Sequence, residues 1–175
     1  GVVARGRQDV ADEVLMLRFQ RGDVSAFSLL VQRHQTPLFN YILRMVHSRE
    51  VAEPLVQQAL IDMVRGSPGF KHDGAFGSWA YGIARRICLP YSTKAQETSV
   101  ISDNPQPGTD PILAALEALP TEQREVFLLK KIARLSFKDI SGMTDTDEQT
   151  VKSRVRFVLD HLQAVLHSVE EDASS

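Results

Sequence analysis

Residues 135–157 read LSFKDISGMTDTDEQTVKSRVRF: a short amphipathic segment, a polar turn and a second amphipathic segment carrying basic residues, joined without a break. Ser136 stands three residues before Asp139, a capping-box arrangement that satisfies orphan amides at a helix start. The spacing predicts a helix of about two turns with Leu135, Ile140 and Met143 facing inward. Thr144, Asp145, Thr146 and Asp147 supply turn and N-cap chemistry, so the next helix opens near Asp147. Val151, Val155, Val158, Leu162 and Val165 recur there at three- and four-residue steps, widened by Leu159 and Leu166, which predicts one buried side. On the other side Gln149, Lys152, Ser153 and Arg156 fall at i, i+3, i+4 and i+7, near the N-terminal end. This is the pattern of a helix-turn-helix whose second helix reads DNA: Gln suits adenine, Arg and Lys suit guanine, and any cation can hold phosphate. An isolated helix of this kind would more often be a solvated surface, but the short helix and turn ahead of it argue for the DNA-reading arrangement.

Working outward, residues 119–162, LPTEQREVFLLKKIARLSFKDISGMTDTDEQTVKSRVRFVLDHL, resemble the C-terminal promoter-binding domain of sigma-70 family factors without a gap. RGDVSAFSLLVQRHQTPLFNYILRMV (21–46), AEPLVQQAL (52–60) and FKHDGAFGSWAYGIAR (70–85) resemble the other conserved domain of the small extracytoplasmic-function (ECF) members. The resemblance spans about residues 12–94 and 111–167. It implies an all-α protein of two small helical domains, an N-terminal bundle over residues 9–94 and a C-terminal helix-turn-helix domain over 111–168, joined by a flexible linker at 95–110. It also implies a sigma factor that binds core RNA polymerase, selects promoter DNA for transcription initiation and is held in check by an anti-sigma factor. On that reading Gln149, Lys152, Ser153, Arg154 and Arg156 contact the minus-35 element.

The bland features agree. The chain has 175 residues, 43% of them hydrophobic, enough for one medium core or two small ones. A single cysteine, Cys88, excludes a disulfide framework and suits a reducing cytosol. Apolar runs are too short for a bilayer, and the start GVVARGRQDV lacks the apolar stretch of a signal peptide, so a soluble cytoplasmic protein is expected. Gly1 in place of Met points to trimming or extension of the N-terminus.

Net charge is −2 but uneven: residues 1–94 hold 12 basic and 8 acidic side chains (+4), residues 95–110 contribute −3, and residues 111–175, with 8 basic and 11 acidic, another −3. Phosphate neutralisation supplies most non-specific affinity for DNA, so so weakly basic a module needs a larger partner to hold it there. RNA polymerase fills that role in the family. Apolar periodicity stops in KAQETSVISDNPQPGTDP (94–111), which reads as a linker, and Asp110 with Pro111 forms an N-cap and first-residue pair for the second domain.

In the first domain a helix over about residues 9–21 is expected to stop at Gly22, and Asp23 to cap a helix with Ala26, Phe27, Leu30 and Val31 inward. Thr36 and Pro37 are expected to restart the chain, the next helix presenting Leu38, Tyr41, Ile42, Met45 and Val46, and the one after Ser48 presenting Leu55, Ala59, Ile61 and Val64. Leu55–Leu60 resembles the helix by which sigma factors grip the clamp helices of polymerase; the resemblance assigns Glu53, Leu55, Val56, Gln57 and Gln58 to that contact. The family usually carries acids where this chain has Pro54 and Gln58. Pro54 either interrupts a helix, at a cost of about 3 kcal/mol, or serves as the first residue of one capped by Glu53.

FGSWAYGIARRICLPYSTK (76–94) resembles the element that melts and reads the minus-10 sequence. Phe76, Trp79, Ile83 and Ile87 form one stripe, which makes Trp79 a core residue, while Tyr81, Arg85 and Arg86 lie off it and are the candidates for single-strand contact through stacking and phosphate binding. Pro90 is expected to end this helix near Leu89. The family usually has Asn, Asp and Arg where Arg86, Pro90 and Thr93 stand. These departures leave open a second reading, a sigma-like interaction protein that docks a regulator without driving initiation. A self-sufficient helix-turn-helix repressor is disfavoured because no dimerisation element is evident. The five histidines, at positions 34, 47, 72, 161 and 167, show no metal-ligand spacing with Cys88 or each other, and no phosphate loop or nucleophile elbow is present. No cofactor and no catalysis are expected.

Overall fold

Capping residues set most of the boundaries in the computed structural model, which describes residues 10–71, 73–99 and 110–174. These residues form eight helices and no β-strand: α1 (Asp12–Gln20), α2 (Val24–Val46), α3 (Arg49–Gly66), α4 (Phe76–Ser99), α5 (Pro111–Ala118), α6 (Thr121–Lys131), α7 (Phe137–Thr144) and α8 (Glu148–Ser174). Gly22 at φ +103° closes α1, and Asp23 caps α2 by accepting from the Ser25 amide at 3.1 Å. Ser48 caps α3, Asp110 caps α5 ahead of Pro111, and Ser136 caps α7 by accepting from the Asp139 amide at 3.0 Å. Glu13 on α1 reaches across to accept from the Phe76 amide at 2.9 Å, so the start of α4 is capped by another helix.

The three prolines inside helices correct the expected breaks. Pro37 does not restart the chain, because α2 runs unbroken for 23 residues. The lost hydrogen bond and clash cost about 3 kcal/mol, whereas Leu38, Tyr41, Ile42 and Met45, all buried just beyond Pro37, contribute about 1.5–3 kcal/mol each. Pro54 sits inside α3, with Ser48 rather than Glu53 as the cap. Pro90 does not end α4 at Leu89; the helix continues to Ser99. Pro54 and Pro90 are exposed, as are Glu50 and Arg86, whose carbonyls lose their partners, so the broken bonds face solvent and the buried sides stay intact. Beneath Pro90, Cys88 and Ser92 are fully buried, and the Ser92 hydroxyl donates to the Leu89 carbonyl at 2.9 Å. The rest of the expected linker, residues 100–109, lies outside the described residues.

Around the central α2 pack α1, α3 and α4, joined by Leu15, Met16, Leu30, Leu38, Tyr41, Ile42, Met45, Ala59, Met63, Phe76 and Ala84. Ile61 and Val64 were expected inward on α3 but are 45% and 43% exposed; Met63 takes the core position. In the second domain α8 is the spine, packed against α5, α6 and α7 through Leu116, Val126, Leu129, Ile140, Val151, Val155 and Val158. Arg124, wholly buried, donates to the carbonyls of Glu117 and Leu119 at 2.9 Å each and thereby ties the end of α5 to α6. The two helical domains touch: α6 lies against α2 and α4, and α7 against α4.

Candidate nucleic-acid interface

The turn between α7 and α8 is built by short polar side chains. Asp145 takes the left-handed conformation (φ 50°), the Thr146 amide donates to the Ser141 carbonyl at 3.1 Å, and the Thr144 hydroxyl to the Ile140 carbonyl at 2.7 Å. Asp147 opens α8 by accepting from the Thr150 amide at 2.9 Å; this bond and one from the Thr150 hydroxyl hold its carboxyl below the usual carboxylate range. With Val151, Val155 and Val158 buried against α6 and α7, Gln149, Lys152, Ser153 and Arg156 are exposed together on the first turns of α8. Lys152 Nζ lies over the Phe137 ring at 5.6 Å, which braces its stem against α7. Arg154 is placed differently: it is half-buried and turned towards Glu122 of α6 at 3.8 Å. It borders an open groove with Gln123, Gln149, Ser153 and Phe157. Phe157, 50% exposed, escaped the sequence reading, although an aromatic residue off the apolar stripe was the available signal.

The three residues expected at the single strand do not form one surface. Tyr81 is 3% exposed, its ring edge-on to Tyr41 at 5.5 Å between centroids, and burial pushes its hydroxyl up to about 12. In this arrangement it has no face free for a base. Arg85 pairs through Nε with Glu125 of α6, and its Nη1 donates to the Met143 carbonyl of α7 at 3.2 Å. Arg86 alone is exposed, beside an open groove of about 500 Å³ between α3 and α4 that Arg65, Asp62, Trp79, Ile83 and Ile87 also line. Trp79 is half-buried, packed on Phe70 at 5.3 Å and presenting its remaining edge to this groove. Arg65 was not anticipated, since only the packing of α3 on α4 brings it beside Arg86.

Of the residues assigned to polymerase, Glu53, Gln57 and Gln58 are exposed on α3, Val56 is half-buried, and Leu55 faces the core at 8% exposure. Gln58 donates to Asp62 Oδ1 at 2.8 Å, so a carboxylate stands one turn beyond the position where Gln58 lacks one. Cys88 is fully buried, and its thiol is pushed up to about 12, which removes it as a nucleophile or ligand at neutral pH. Among the described residues no cluster of His, Cys, Asp and Glu is suited to a metal ion, and no helix is long and apolar enough to cross a membrane.

Residues 30–98 match the family described as "Sigma-70 region 2" and residues 109–162 that described as "Sigma-70, region 4". The ECF RNA polymerase sigma-E factor of Escherichia coli (strain K12) is 28% identical over 173 residues, covering 85% of this chain and 90% of that protein. The chain belongs to the ECF group of the sigma-70 family. The RNA polymerase sigma-H factor of Pseudomonas aeruginosa, at 29% identity over 82% of this chain and 88% of its own length, is a further relative. Two solved structures share its fold: CnrH in complex with the cytosolic domain of CnrY (TM-score 0.73, 21% identity, 91% of this chain and 99% of that one) and the sigma factor RpoE in complex with the anti-sigma factor NepR from Bartonella quintana (TM-score 0.67, 22% identity, 82% and 98%). Within the ECF group, then, regions 2 and 4 account for both halves of the described chain. The exposed face of α8 lies in region 4, and the groove beside Arg86 lies in region 2.

Proposed function

We infer that this ECF sigma factor binds core RNA polymerase through α3 and directs promoter-selective initiation, reading the minus-35 element as duplex with α8. The observation that carries the reading is the exposed set Gln149, Lys152, Ser153 and Arg156 at the start of a helix whose opposite side is buried. A recognition helix enters the major groove in that orientation, its N-terminal residues towards the base edges. Arg154 supports the set from the side of α6, where its contact with Glu122 is loose enough to exchange for phosphate. Arg86, with Arg65 and Trp79 along the groove between α3 and α4, offers cations and an aromatic edge to the unpaired minus-10 strand. The domain boundaries that fit this division of labour are residues 9–94 and 111–168, with α4 reaching past the first of them. The protein works by binding, not by catalysis, and acts in the cytoplasm with polymerase. An anti-sigma factor is the expected regulator.

Pro54 and Gln58 on the exposed side of α3 favour a second reading, a diverged docking protein that binds a regulator without driving initiation. In vitro transcription by core polymerase over a randomised promoter library separates the two. A working sigma factor yields start sites that share a minus-35 sequence and depend on the added chain; products identical with and without the chain would remove the initiation reading.

A further inference from the structure

We propose that Phe157 reads the 5-methyl group of a thymine in the minus-35 duplex, as a specificity-determining residue beyond the polar set at the start of α8. The proposal rests on the sigma-factor reading and deepens it by naming a base. Phe157 stands four residues after Ser153 and eight after Gln149, so the three side chains share one row along the helix. All three line the open groove of about 480 Å³ between α6 and α8. Val151, Val155 and Val158 fill the buried side of α8, whereas Phe157 is 50% exposed and belongs to the face that carries Lys152, Ser153 and Arg156. One turn further on, the His161 ring lies parallel to that of Phe157 at 6.3 Å between centroids and restricts its rotation.

The surroundings point to DNA as the occupant. Lys152 and Arg156 are exposed on the neighbouring row and Arg154 borders the same groove, a cationic setting suited to phosphates. Asp147, the carboxylate at the head of the groove, is engaged by the Thr150 amide and hydroxyl. Leu166 and Val169, also exposed on α8, lie about a third to half of a turn round the helix from Phe157, so its ring is an isolated apolar contact and not part of a patch on which another protein would settle. Among the four bases thymine alone presents a methyl group in the major groove, and an apolar side chain is its partner. Gln149 and Ser153 supply hydrogen bonds to base edges; Phe157 supplies the contact they cannot make. From Gln149 to Phe157 the helix rises about 12 Å, the height of about three base pairs, which places the thymine roughly two to four base pairs from the pair that Gln149 meets.

The test measures binding of the holoenzyme to the minus-35 duplex selected from the randomised library, with each thymine replaced in turn by deoxyuridine, which removes the methyl and keeps every hydrogen bond. The parent is compared with Phe157→Ala and with Phe157→Leu, which stays apolar. At one thymine the parent is expected to lose about three- to fourfold in affinity on replacement, the loss that one methyl's burial implies, while Phe157→Ala binds both duplexes alike and Phe157→Leu keeps a preference of about twofold. The thymine concerned should lie roughly two to four base pairs from the pair whose preference Gln149→Ala relaxes. A parent indifferent to every replacement, or a selected element without thymine, overturns the proposal and leaves the sigma-factor reading standing. Phe157→Ala that weakens all duplexes evenly and still distinguishes thymine from uracil also overturns it, and assigns the ring to polymerase instead. If no shared minus-35 sequence is selected at all, the sigma-factor reading falls and the thymine contact falls with it.

Discussion

At the scale of single residues, Lys152 and Arg156 share an exposed face but differ in support, since the Lys152 ammonium is held over Phe137 at 5.6 Å. Replacing either with Ala is expected to weaken holoenzyme binding to a minus-35 duplex by about 1–3 kcal/mol where the side chain reads a base. Where it holds phosphate instead, the loss is even across sequences and the salt slope falls by about 1. Fluorescence anisotropy titrations at several salt concentrations distinguish these outcomes, and unchanged binding in both variants would refute the assignment. The exposure of Gln149, Lys152, Ser153 and Arg156 was legible in the sequence because it follows from the apolar stripe of one helix. Tyr81 and Arg85 were not legible. Burial of the first depends on Tyr41 and capture of the second on Glu125, partners 40 residues away in each case.

At the scale of the element, caps were readable and proline breaks were not. Asp23, Asp110, Ser136 and Asp147 act as their local sequence predicts, because a cap is a contact between neighbours. Whether Pro37 or Pro90 breaks a helix depends instead on the burial of residues around it, which is tertiary information. Pro54 provides the test, since its ring is exposed and its substitution disturbs no core packing. Pro54→Ala is expected to raise stability by about 2 kcal/mol: relief of the roughly 3 kcal/mol helix penalty is offset by the freer unfolded chain. A urea titration that shows no rise in midpoint would contradict that account.

Asp12 makes a second element-scale prediction, because it fastens α1 to α2 through Arg33 Nη1 at 3.0 Å and His34 Nε2 at 2.9 Å. Desolvation raises its pKa, but the bonds and charges of His34 and Arg33 outweigh that and hold the carboxyl below the usual range. A folded-state pKa below the unfolded one stabilises at pH above the unfolded value, and the gain disappears as pH falls through the folded one. Asp12→Asn should therefore cost about 1 kcal/mol at neutral pH, the pair being a quarter exposed and screened, with the difference starting to shrink as pH falls below the unfolded Asp value of about 4 and gone only below the lower folded-state pKa. Thermal melts of both proteins across that range supply the check; a pH-independent difference would exclude the ion pair as its source.

At the scale of the whole molecule, the all-helical class, the two domains and their order could be read from periodicity and resemblance, because each domain's core is made of residues near one another in sequence. The docking of the domains could not. Arg44 and Glu117 are 73 residues apart, and nothing in either local sequence announces the pairing. Only the opposite net charges of residues 1–94 and 111–175 hinted at it. The same distance from local pattern applies to Arg65, which joins Arg86 through helix packing alone.

The central claim is that this chain works as a sigma factor despite Pro54 and Gln58 on α3, the helix proposed to meet polymerase. Analytical ultracentrifugation of the unmodified chain with bacterial core RNA polymerase, alongside Pro54→Asp, tests it most directly. The account predicts a stoichiometric complex with the unmodified chain. No complex with the unmodified chain, and a complex with Pro54→Asp, would contradict it and show a sigma-like protein that has lost its grip on the enzyme.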